Sequence, residues 1–76
     1  MRKEEFLNEL LEIMQIEINL NESTLLESLE EWDSMAKLAI ISLFDLEFKI
    51  TLTFEKLKDV KTISELMQIA NEQIHD

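Results

Sequence analysis

Ser34 follows Asp33 where a strongly acidic stretch gives way to a long apolar run, which places a hydroxyl, a candidate nucleophile, at the start of an expected helix. A serine nucleophile needs a base within hydrogen-bond reach and a third group that orients the base. The only histidine is His75, one residue from the end of the chain, where it is expected to be frayed and solvated. The chain has no glycine, so the Gly-x-Ser-x-Gly elbow is absent. Carboxylates are plentiful, but 76 residues leave little room for a deep pocket around a pair of them. With no cysteine and no EF-hand spacing among the acids, no metal site is expected. The reading is therefore a chain without catalysis of its own. The bland local use of Ser34 is as a helix N-cap, a position that serine favours.

The elements that would position Ser34 follow from composition. A chain of this length makes one domain, 1–76, with a small core. Glycine and proline, the strongest turn markers, are both missing, while Leu, Ile, Glu and Lys dominate, so the chain reads as all-α. Phe6, Leu7, Leu10, Leu11 and Met14 form one apolar stripe, predicting helix I from about Arg2 to Gln15. Glu17 to Asp33 has no sustained periodicity and reads as a long loop, a feature often tied to function. Ile18, Leu20, Leu25, Leu26 and Leu29 are expected to anchor it, and Thr24 with Glu27 to cap a brief helical turn.

Helix II is expected from Ser34 or Met35 to about Phe48. It is apolar around more of its circumference than so small a domain can bury, so part of it must stay accessible. Met35, Leu38 and Ser42 lie on one line and read as a surface that faces partners; Ile40, Ile41, Phe44 and Phe48 read as core. A short helix III follows, with Thr53 as its N-cap and Leu57 pointing inward. Thr62 and Glu65 have the capping-box spacing and open helix IV, which carries Ile63, Leu66, Met67, Ile69, Ala70 and Ile74.

A net charge of −10 argues against nucleic acid or anionic lipid as a direct partner, because both demand a basic footprint. From Asn21 to Phe48 the acids Glu22, Glu27, Glu30, Glu31, Asp33, Asp45 and Glu47 face a single base, Lys37. Such a face would steer basic partners. The amino end lacks the apolar run of a secretory signal, and no window is long and apolar enough to span a bilayer. Together these predict a soluble, cytoplasmic monomer.

Asp33-Ser34-Met35, followed by Leu38, Ile41, Phe44, Asp45, Glu47 and Phe48, resembles the modification site and second helix of acyl carrier proteins. Ile50-Thr51-Leu52-Thr53 is similar to that family's link before helix III, and Val60 to Leu66 to the start of its helix IV. The resemblance implies a four-helix bundle of three longer helices and a short helix III, its core between helices I, II and IV. It implies that Ser34 carries 4'-phosphopantetheine, donated by coenzyme A through a phosphopantetheinyl transferase, and that Asp33 helps the transferase recognise the site. The arm would hold an acyl group as a thioester and deliver it to enzymes with basic docking patches. Glu30, Glu31, Asp33, Met35 and Leu38 would form the docking surface.

On a physical view, a phosphodiester at a helix N-terminus meets free N–H groups and the positive end of the dipole. Asp33 beside it is unfavourable unless a cation bridges the two. Trp32 stands where many carriers of fatty acid synthesis have glycine, and Ala36, Lys37 and Ala39 replace positions that are often acidic or polar. The less acidic start of helix II argues against partnership with the housekeeping enzymes of fatty acid synthesis. A tryptophan before Asp-Ser resembles dedicated stand-alone carriers of polyketide-like, surface-polysaccharide or other specialised pathways. Trp32 reads either as a clamp closing the loop or as a partner contact. Two rivals remain: a D-alanyl, aminoacyl or peptidyl carrier with the same arm, and an unmodified acidic helical module.

Overall fold

The apolar stripe does become the first helix. A computed structural model describes residues 1–16 and 19–75 of the chain, and α1 spans Lys3–Met14. Phe6, Leu10 and Met14, each four residues from the next, are its buried row. Glu5 accepts from the backbone N–H of Arg2 at 3.3 Å, closing the first turn. Gln15 ends the helix in the left-handed region, where its N–H bonds the carbonyls of Leu11 and Glu12.

Three further helices follow: α2, Ser34–Leu43; α3, Phe54–Lys58; and α4, Ile63–Ile69. Short 3₁₀ turns occupy Leu26–Ser28 and Asn71–Gln73. Among the described residues there is no strand, only two isolated bridges, so the chain is all-α. No helix among them is long and apolar enough to cross a membrane. Past Leu43 the second helix continues as one wider turn, Phe44–Phe48, in which the carbonyl of Phe44 accepts from both Lys49 and Ile50. The fourth helix is shorter than its apolar spacing predicts. Ile74 is buried, but it arrives beyond the 3₁₀ turn and outside α4.

Three rings tie α1 to the second helix. Phe44 meets Phe6 edge-on at 6.0 Å and Phe48 at 5.0 Å, while Phe6 and Phe48 lie 6.5 Å apart. Ala36, Ile40, Phe44 and Phe48 form the inward row of that helix. Ile41, expected in the core, is half-buried because it lies one residue round from this row.

The stretch between α1 and α2 contains no α-helix among its described residues; Glu17 and Ile18, the latter an expected anchor, lie outside them. Leu20 and Leu26 are buried and Leu29 half-buried. Leu25 is a correction, being 55% exposed. Its backbone is extended and bridges Thr62, so successive side chains point to opposite sides and Leu26 takes the inward place. Thr24 does not cap the turn either. Its hydroxyl accepts from Asn21 N–H at 3.1 Å and lies 3.4 Å from Asn21 Oδ1, closing a local loop.

That same stretch finishes the start of α4. Ile63 N–H donates to the Thr24 carbonyl at 3.2 Å and Ser64 N–H to the Glu22 carbonyl at 2.8 Å. Leu26 N–H donates back to the Lys61 carbonyl at 2.9 Å. Thr62 Oγ1 caps Glu65 N–H at 3.1 Å. The reciprocal half of the expected box is displaced by one residue: Glu65 accepts from Lys61 N–H at 2.7 Å. Thr53 caps α3 through Lys56 N–H at 3.1 Å, and Leu57 is buried.

The tail at His75 is not frayed. Its carbonyl accepts from Lys3 N–H at 2.8 Å and its N–H donates to the Met1 carbonyl at 3.0 Å. Among the described residues three hold positive φ, Gln15 at 53°, Lys49 at 59° and Asn71 at 57°, in a chain that has no glycine to place there.

Candidate functional site

Two good capping residues stand side by side at 33 and 34, and only one can be the cap. The backbone selects Asp33, which is extended at φ −107° and ψ −173°. Its Oδ1 accepts from Ala36 N–H at 2.9 Å, and its carbonyl accepts from Lys37 N–H at 3.0 Å. Ser34 is therefore the first residue inside α2 rather than its cap, which corrects the bland reading of that hydroxyl. A capping side chain folds back over the helix end; the residue after it is released to point outward.

Ser34 is exposed. Among the described residues no protein group bonds its hydroxyl, and no acceptor meets the N–H of Ser34 or of Met35. The positive end of α2 thus keeps two unused donors beside an accessible hydroxyl.

The expected docking residues are all exposed. Glu30, Glu31 and Asp33 are exposed, as are Met35 at 79% and Leu38 at 54%. Ser42 lies on the same exposed line, and Leu46, at 71% exposed, extends it. Leu46 stands four residues beyond Ser42, so the same helical spacing is the signal that places it on this line. Glu27 does not join the other acids; it faces Lys61 at 3.9 Å. Among the described residues no three His, Asp or Glu side chains are grouped to hold a metal ion.

Trp32 is 9% exposed and belongs to the hydrophobic core, as a residue clamping the loop would. The Lys37 ammonium sits 5.9 Å from the centre of its ring. With Asp33 as cap, these residues fall at the two positions of a hydrophobic staple, one before the cap and one at the fourth helical residue. Here the second partner is a lysine whose ammonium stands over the ring instead of an apolar side chain. An open groove of about 360 Å³ flanks the other side of α2, walled by Ile13, Met14, Asp33, Met35, Ala36 and Ala39.

No protein-family model matches the chain, and neither curated proteins nor solved structures give a significant match.

Proposed function

We propose that this chain is a carrier protein, with Ser34 as the attachment point of a 4'-phosphopantetheine arm. One observation carries the reading. An exposed hydroxyl with no partner among the described residues opens a helix whose first two N–H groups have no acceptor among them. The phosphate of the arm would need such donors, and the dipole there favours negative charge. Four helices joined by a long first connection suit the bundle such carriers have, with one domain supporting a single site.

Each residue has a role in this reading. The Ser34 oxygen would form the new bond to phosphorus of the coenzyme A pyrophosphate as the bridging P–O bond breaks. The hydroxyl proton would pass to a base on the transferase, and adenosine bisphosphate would leave. Asp33 fixes the start of α2 through Ala36 N–H and presents its carboxylate to the transferase. When attached, the arm supplies a terminal thiol that holds an acyl group as a thioester. Glu30, Glu31, Met35 and Leu38 offer docking enzymes an acidic rim around an apolar centre. Such contacts favour fast, steered association followed by release. Tethering raises the local concentration of the cargo at each docked enzyme.

The test is intact mass after incubation with a promiscuous phosphopantetheinyl transferase, coenzyme A and magnesium. The wild-type chain is expected to gain one phosphopantetheine group, and Ser34→Ala to gain none. A wild-type chain that stays at its starting mass, while a known carrier in the same tube is labelled, would return the chain to the class of unmodified acidic modules.

A further inference from the structure

Lys37 is the single base between Asn21 and Phe48, and it sits near the wrong end of its helix. A cation is unfavourable close to the N-terminal, positive end of a helix dipole. The one acid at that end is the cap itself, Asp33, and none stands inside the first turn of α2. Lys3 reaches Glu22 at 3.3 Å and Lys61 reaches Glu27 at 3.9 Å. Among the described residues Lys37 makes no such pair, although Glu30, Glu31 and Asp33 are close in sequence. Its ammonium rests on the Trp32 ring instead. The ring holds it one helical turn beyond Ser34, and residues three apart on a helix are surface neighbours.

We propose that Lys37 is the resident counter-cation for the phosphodiester at Ser34, a positioning residue that offsets the repulsion from Asp33. This rests on the carrier reading. With an anion on Ser34 Oγ, the misplaced charge acquires a partner on its own face of the helix. The ammonium turns from the ring toward the phosphate, a swing within reach of a long, flexible side chain. The base of the arm is then held on the Trp32 side of α2, away from the groove on the opposite flank.

The experiment compares apo and transferase-labelled forms of wild type, Lys37→Met and Lys37→Arg at low ionic strength, with intact mass to establish labelling and thermal melting as readout. Methionine keeps an unbranched apolar stem and removes only the charge. A purely structural role for Lys37 shifts apo and labelled forms alike, so the apo-to-labelled difference is the quantity that decides. In wild type and Lys37→Arg labelling is expected to leave the melting temperature nearly unchanged. In Lys37→Met the labelled form is expected to melt about 1–4 °C below the apo form. That gap should close in about 1 M salt. Complete labelling with the same apo-to-labelled shift in wild type and Lys37→Met would overturn the proposal and leave the carrier reading standing. Absence of labelling in the wild type would remove both. If Lys37→Met does not fold, Trp32 emission in the wild type decides: a change on labelling supports departure of the ammonium from the ring, and identical spectra overturn it.

Discussion

The starts of α2 and α4 are built from similar residues and finished in opposite ways. Each has a polar cap whose side chain accepts from the N–H three residues on, Asp33 for Ala36 and Thr62 for Glu65. Each has a serine just inside, Ser34 in one and Ser64 in the other. At α4 the next N–H groups, those of Ile63 and Ser64, are taken by the carbonyls of Thr24 and Glu22 from the long loop. At α2 the corresponding groups of Ser34 and Met35 meet no acceptor among the described residues. Orphan donors at a helix start can serve the fold or remain available to a ligand. In this molecule one end does each.

The sharpest way to break that contrast is to exchange the serines. Ser34→Ala should abolish labelling by a phosphopantetheinyl transferase, whereas Ser64→Ala, whose backbone N–H rather than hydroxyl is used, should be labelled at the wild-type rate. Equal loss in both variants would mean that the two helix starts do not differ in the proposed sense. Next in size is the loop that closes α4. Leu26 is completely buried, and Leu26→Ala is expected to cost about 2–5 kcal/mol, read by denaturant melts. Amide exchange at Ile63 and Ser64 should speed up in that variant more than at Met35, which has no bond to lose.

The caps give smaller effects. Thr62→Ala and Asp33→Ala should each lower stability by about 1 kcal/mol, shifting the melting temperature by about 4–8 °C. Asp33→Asn separates the two jobs of that residue: asparagine still caps, so melting should stay near wild type while labelling slows. Finally, Glu30, Glu31 and Asp33 are exposed and follow one another closely in the sequence just before α2. Salt should raise the melting temperature slightly by screening them, and a melt indifferent to salt would count against their mutual repulsion.

Much of this was legible in the sequence. A row at Phe6, Leu10 and Met14 fixes the first helix, and Thr53 and Thr62 cap where their type and spacing place them. An Asp-Ser pair before an apolar helix is unremarkable by itself, and Ser34 is singled out in the sequence only by the resemblance of the residues around it to acyl carrier proteins. Local propensity could not choose between Asp33 and Ser34 as cap, since both residue types serve equally well. That choice in turn hid the pairing of Trp32 with Lys37, whose spacing has meaning only once the cap is known. Leu25 and Leu26 are both apolar, and only the bridge to Thr62 decides which of them turns inward. Contacts of that kind join segments far apart in the chain and leave no local pattern.

The left-handed residues that close the helices have a consequence of their own. Gln15 and Lys49 adopt a conformation in which a side chain costs about 1 kcal/mol or more; Asn71 bears it more easily. Glycine at 15 or 49 would relieve that tension, with a net benefit trimmed by the extra freedom it gives the denatured chain. A protein written without a single glycine therefore has a reserve of toughness in its hinges, open to anyone who wishes to harden it without disturbing the surface around Ser34.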